Sequence, residues 1–114
     1  MISEMHEVTP DFLQLLISGG ETIDVEFKGE EHVALSDHQL IGALVCLANR
    51  LSSKSGWLLI GVEDDGRITG ARPRHNTITE LISISFQRLL PLGLALRFHR
   101  IFRYAKSIIK ISLP

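Results

Sequence analysis

The stretch that decides the fold reads Gly56-Trp57-Leu58-Leu59-Ile60-Gly61-Val62-Glu63-Asp64-Asp65-Gly66. Its apolar part, Trp57–Val62, is continuous, which is typical of a central strand covered on both faces. Asp64-Asp65-Gly66 is a turn signal, because Asp before Gly suits the positive-φ positions of a hairpin. We therefore predict that Arg67–Gly70 pairs back onto this strand as a second strand.

A strongly apolar helix is predicted before this strand. Ser36 and Gln39 form a capping-box pattern, in which the serine caps the helix and the glutamine follows three residues later. The run Leu40–Leu51 is apolar at most positions, which predicts a helix buried around most of its circumference and packed on Trp57–Val62. Cys46 lies in this run, so we expect a buried, unreactive thiol.

The remaining elements complete an α+β pattern. Thr9-Pro10-Asp11 predicts the start of a helix that ends at Gly19-Gly20. The other predicted elements are a strand at Ile23–Lys28, a third helix from Asn76 or Thr77 to about Leu90, and strands at Leu94–Tyr104 and Ser107–Leu113. This order predicts a mixed sheet of about five strands flanked by three helices.

The length and the charge balance indicate one domain without a strongly charged surface overall. The 114 residues suit a single domain, with residues 1–8 as a loose leader, and we expect a domain excised from a longer protein. Twelve Lys and Arg residues balance 13 Asp and Glu, so there is no global basic field. One cysteine excludes an intrachain disulfide and fits a reducing compartment. Without a signal peptide or an apolar run of membrane-spanning length, we predict a cytoplasmic protein without membrane contact.

Charged residues suggest two kinds of site. On the strand Ile23–Lys28, alternation places Asp24, Glu26 and Lys28 on one face, which suits either a hard cation or plain solvation. Most of the basic residues follow Val62, and arginine forks fit phosphate oxygens well. The candidate nucleic-acid contacts are Arg67, Arg72, Arg74, Arg97 and Arg103.

Three motifs together resemble the AlbA-like domain of the Schlafen family. Glu21–Lys28 is similar to the family's E-S-x-x-x-E-F-K, with Thr22 in place of serine, and Cys46–Asn49 is similar to its A-x-A-N. Gly56–Gly70 is similar to G-G-x-L-x-I-G-V-x-D-x-G-x-I-x-G, the most specific of the three. Order and spacing agree over roughly residues 15–113, although Arg50–Ser55 lengthens the loop before the last motif.

The resemblance implies a fold and two possible activities. It implies a Schlafen AlbA-like domain, which is also found at the front of bacterial transcriptional regulators. In Schlafen proteins that cleave RNA it implies a catalytic site of three carboxylates, which fall here on Glu21, Glu26 and Glu63. These would hold Mg²⁺ or Mn²⁺, and Lys28 would neutralise a phosphate oxygen.

Three functional hypotheses follow. The first is a nucleic-acid-binding domain of a transcriptional regulator, with DNA or RNA as its partner. The second is a metal-dependent nuclease that uses the three glutamates. The third is a non-catalytic interaction module that forms a homo-oligomer through a sheet edge. The sequence has no G-x-x-x-x-G-K-[ST] motif, so nucleotide hydrolysis is not expected.

Overall fold

The computed structural model describes residues 9–52, 55–75, 95–101 and 106–112. Their elements are α1 (Pro10–Ser18), β1 (Val25–Lys28), α2 (Asp37–Arg50), β2 (Ser55–Ile60), a 3₁₀ turn (Pro73–His75), β3 (Ala95–Ile101) and β4 (Lys106–Ser112). The strands form one sheet in the order β1-β2-β4-β3. β1 and β2 are parallel and the other pairs are antiparallel, so the sheet is mixed, in keeping with the predicted α+β class.

The described part of the chain has four strands in its sheet instead of the predicted five. The expected return strand Arg67–Gly70 is reduced to an isolated bridge between Val62 and Ile68. The backbone leaves the strand conformation at Gly61, Gly66 and Gly70, whose φ angles are 94°, 89° and 90°. The third predicted helix and the leader residues 1–8 lie outside the described residues.

Two apolar clusters cover the two faces of the sheet. On one face, side chains of α2 pack against β2 and β4; the buried members of this cluster are Leu35, Leu40, Leu44, Leu47, Leu58, Ile60, Ile109 and Ile111. On the other face lies α1; the buried members there are Leu13, Val25, Phe27, Leu59, Val62 and Ile108. Leu44 and Leu59 are fully buried, which confirms the prediction of a central strand beneath α2.

Helix α2 is capped as predicted and is exposed along one strip of its surface. The Gln39 amide donates to Ser36 Oγ at 3.1 Å, and the Ser36 amide donates to Gln39 Oε1 at 2.9 Å. Gly42 and Cys46 are exposed, because they lie on the side of α2 that turns away from the sheet. The expectation of a buried thiol is therefore wrong, whereas the rest of the helix circumference is buried or partly buried, as predicted.

Helix α1 begins at its expected cap and packs on the face of the central strand opposite to α2. The Phe12 amide donates to Thr9 Oγ1 at 3.1 Å. The Phe12 ring meets the Trp57 ring edge-on, with 5.1 Å between the ring centroids. Within the described ranges, no helix has the length and apolar character needed to cross a bilayer.

Candidate functional site

Glu21 lies at the outer edge of the sheet. β1 is an edge strand, and the Phe27 amide donates to Glu21 Oε1 at 3.0 Å. The neighbouring residue Thr22 pairs with Val25 through two backbone hydrogen bonds of 3.1 and 3.3 Å. Glu21 and Thr22 thus satisfy backbone groups that an open edge strand would expose.

Glu26 and Lys28 lie on the opposite face of β1 from Val25 and Phe27, as the alternation predicts. Glu26 Oε1 is 2.6 Å from Arg50 Nη2, and Glu26 Oε2 is 3.4 Å from Lys28 Nζ. Both residues line a groove of about 590 Å³ beside α2. The Glu26 carboxylate is therefore already balanced by two cations.

Glu63 follows β2 and is held by the segments on either side of it. Its Oε2 accepts hydrogen bonds from Thr69 Oγ1 and, at 3.3 Å, from the Glu31 amide. The carboxyl group lies directly over Gly29, where a Cβ would overlap it. Glycine at position 29 thus makes room for the Glu63 side chain.

The structure does not bring the three glutamates into one site. Glu21 binds the edge of β1, Glu26 binds Arg50, and Glu63 binds Thr69. Among the described residues, no three His, Cys, Asp or Glu side chains are grouped so that they could hold a metal ion. Mg²⁺ and Mn²⁺ need several oxygen ligands around one point, so this arrangement does not fit them. The three-carboxylate metal site stays a prediction.

Arg67 is exposed and engages two acids. Its Nε is 2.7 Å from Asp65 Oδ2, while Nη2 and Nη1 are 3.2 and 3.4 Å from the two carboxylate oxygens of Glu31. The hydrogen bond from the Arg67 side chain, with that from its amide, lowers the pKa of Asp65. The same contacts, first Asp65 and then Glu31, raise the pKa of Arg67.

Arg72 fixes the main chain beside Arg67. Its Nε donates to the Glu30 carbonyl at 2.8 Å, and its Nη2 donates to the Glu31 carbonyl at 3.2 Å. The Arg72 amide in turn donates to Glu30 Oε1 at 2.8 Å. Residues 30–31 are thereby tied to residue 72, although they are far apart in sequence.

Glu30 and His75 form a buried pair that the sequence did not reveal. Both side chains are fully covered, and His75 Nδ1 is 2.8 Å from Glu30 Oε2. Burial alone would raise the pKa of Glu30, but hydrogen bonds from His75 and from the Arg72 and Leu35 amides hold it below its ordinary value. The only sequence signal is an acid in a polar loop, because its partners come from distant segments.

These contacts shape a groove between residues 30–31 and residues 67–73. The groove has a volume of about 730 Å³, and both Arg67 and Arg72 line it. The structure therefore brings together two of the five predicted arginines.

The other three arginines are described less fully or not at all. Arg74 lies in the 3₁₀ turn, and the backbone of Arg97 pairs with that of Lys110. Nothing is described of their side chains, and Arg103 lies outside the described residues.

Comparison with known proteins identifies one family. The family model described as "Schlafen, AlbA_2" matches residues 21–114, which confirms the resemblance seen in the sequence. Comparisons with curated proteins and with solved structures gave no match. The matched range includes the groove and all three glutamates, and the family indicates a function related to nucleic acid.

Proposed function

We propose that this chain, which belongs to the Schlafen AlbA_2 family, is a nucleic-acid-binding domain that contacts the phosphate backbone. The observation that carries this proposal is the presence of Arg67 and Arg72 along one groove. A guanidinium group presents paired N–H donors that match phosphate oxygens. The family points to nucleic acid as the partner, and the two arginines provide a place to bind its phosphates.

The groove favours contacts with phosphate over contacts with bases. Its described lining holds the two arginines, two glutamates and small or aliphatic residues, with no aromatic ring on which a base could stack. Phosphate contacts give affinity without sequence choice. We therefore propose a salt-sensitive domain with little base preference, which would serve a larger transcriptional regulator as its general nucleic-acid contact.

The two other hypotheses have weaker support. A nuclease would need Glu21, Glu26 and Glu63 to meet at one point, and each of them binds a different partner. A homo-oligomer would need an open sheet edge; on the described β1 the edge is occupied by Glu21 and Thr22, so pairing would fall to β3, the other edge strand of the described sheet. Both hypotheses stay predictions.

The test is a titration of labelled short DNA and RNA at several salt concentrations, with wild-type protein and Arg67→Ala. We expect Arg67→Ala to weaken binding several-fold and to reduce the salt slope by about 0.7–0.9, the contribution of one phosphate contact. Arg50→Ala is the matched control, because it removes the same side chain and charge at a guanidinium that Glu26 holds and that does not line this groove. Equal affinity and slope for wild type and Arg67→Ala would contradict the proposal.

A further inference from the structure

We infer that Glu31 occupies the place of a nucleic-acid phosphate on Arg67, so that the domain binds its partner by exchanging one anion for another. This inference rests on the proposed function. The two oxygens of Glu31 lie 3.2 and 3.4 Å from the two terminal nitrogens of Arg67. This is the paired arrangement that a guanidinium also makes with two phosphate oxygens. The carboxylate thus covers the donors that a phosphate would use.

Asp65 differs from Glu31 in its role. It binds the Nε of Arg67 at 2.7 Å and the Arg67 amide at 3.0 Å, from only two residues away. These contacts fix the direction of the guanidinium and leave its terminal nitrogens turned toward Glu31. Asp65 is therefore a positioning residue, and Glu31 is a competitor for the same cation.

The Glu31 side chain can leave Arg67 while the Glu31 backbone stays in place. Its amide donates to Glu63 Oε2 at 3.3 Å, and its carbonyl accepts from Arg72 Nη2 at 3.2 Å. The side chain is 35% exposed and reaches Arg67 from a segment 36 residues away in sequence. Exposed ion pairs of this kind are weak, so a phosphate can displace the carboxylate without opening the fold.

Exchange of anions has a measurable consequence. In the wild type, the loss of the Arg67–Glu31 ion pair offsets part of the free energy gained when Arg67 binds a phosphate. Glu31→Gln removes this competing charge and keeps the size of the side chain. Asp64→Asn is the matched control, because it removes one charge from an exposed acid in the adjacent turn. Both variants change the net charge equally, so a difference between them reports on the contact with Arg67.

The experiment measures binding of the same labelled DNA and RNA oligonucleotides to wild type, Glu31→Gln and Asp64→Asn across a salt series. We expect Glu31→Gln to bind roughly two- to fivefold more tightly than Asp64→Asn, because an exposed ion pair is weak. Its salt slope should equal that of Asp64→Asn, because Arg67 makes the same phosphate contact in both variants and the counterions released are those of the nucleic acid. Glu31→Ala should tighten binding at least as much.

A double-mutant cycle completes the test. In an Arg67→Ala background, Glu31→Gln should bind no more tightly than Asp64→Asn, because the cation it masks has gone. Equal binding by Glu31→Gln and Asp64→Asn, or tightening that persists without Arg67, would overturn the exchange. If Arg67→Ala still bound the oligonucleotides more weakly than the wild type does, the proposed function would stand. Absence of binding by every variant would overturn both, whereas binding only after Glu31→Gln would support the exchange.

Discussion

Arg50 Nη2 lies 2.6 Å from Glu26 Oε1 and joins the end of α2 to the edge strand β1. The two side chains are 32% and 19% exposed, so this pair is less screened by solvent than a surface pair. Lys28 approaches the other carboxylate oxygen at 3.4 Å. A divalent ion at Glu26 would have to compete with both cations.

The first prediction concerns that competition. We expect the melting temperature of the wild-type domain to be the same with and without excess Mn²⁺, because a ligand stabilises a protein only through its affinity for the folded state. Scanning calorimetry of the wild type and of Glu26→Gln would measure this. A rise in melting temperature with Mn²⁺ that Glu26→Gln abolishes would instead support the three-carboxylate site.

The second prediction concerns the buried acid Glu30. Its carboxylate accepts hydrogen bonds from the Leu35 amide at 2.6 Å, the Arg72 amide at 2.8 Å and His75 Nδ1 at 2.8 Å. Glu30→Gln replaces one acceptor oxygen with a donor amide that would face these donors. We expect the free energy of unfolding in urea to fall by about 2–4 kcal/mol. The exposed neighbour Glu31→Gln should change it by less than about 1 kcal/mol.

The third prediction follows from the lowered pKa of Glu30. A group whose folded-state pKa lies below its unfolded value adds stability above the unfolded pKa and loses it as pH falls through the folded pKa. The ordinary value is 4.5, so the contribution of Glu30 should be complete at neutral pH and disappear below that value. Urea denaturation from pH 7 to pH 3 should therefore show that the free energy of unfolding falls less on acidification for Glu30→Gln than for wild type. Parallel curves would contradict this prediction.

Structural features that depend on residues close together in the sequence were predicted well. The Ser36 capping box and the burial of Leu58–Val62 depend on residues a few positions apart or on a continuous apolar run. The return strand Arg67–Gly70 was mispredicted, because a turn signal does not show where the chain next leaves the strand. Positive φ at Gly61 and Gly70, at either end of the pairing, limits it to the bridge between Val62 and Ile68.

The site was predicted less well, because its contacts join distant segments. In the sequence, Glu30 looks like an ordinary acidic residue of a loop. Only the fold shows that its carboxylate is buried and bonded to the Arg72 amide and His75. Glu31 likewise reads as a surface acid, although it holds Arg67. A motif conveys which residues are acidic but not which neighbours neutralise them.

The fourth prediction uses two glycines with opposite surroundings. Gly61 has φ 94°, and a Cβ there would lie 2.5 Å from the Gly70 carbonyl carbon and 2.6 Å from the Ala71 nitrogen. We expect Gly61→Ala to lower the free energy of unfolding by about 2–4 kcal/mol. Gly42 lies on the exposed side of α2, and among the described residues no atom outside the adjoining helix backbone and chain neighbours lies within 4 Å of the place that a Cβ would take there. Gly42→Ala should therefore raise the free energy of unfolding by about 0.5–1 kcal/mol. Thermal and urea denaturation would compare the two, and equal effects would contradict this account.

The last prediction separates a structural from a catalytic role for Glu21. Its carboxylate accepts the Phe27 amide at the outer edge of β1. Glu21→Gln keeps an acceptor oxygen at this position, whereas Glu21→Ala removes it and leaves the edge amide open. If the role is structural, Glu21→Gln should retain wild-type stability within about 0.5 kcal/mol. Glu21→Ala should lose about 1 kcal/mol and associate more at high concentration, because open edge strands pair with other chains.

Denaturation and light scattering measure these two effects, and a cleavage assay with RNA and Mn²⁺ provides the contrast. A catalytic carboxylate must keep its charge, so in that role Glu21→Gln would abolish cleavage as completely as Glu21→Ala while the fold stayed intact. We expect the structural pattern, in which the two variants differ in stability and association and the glutamine variant behaves as wild type. Loss of a measurable wild-type cleavage activity in Glu21→Gln would assign Glu21 to the chemistry instead of to the sheet edge.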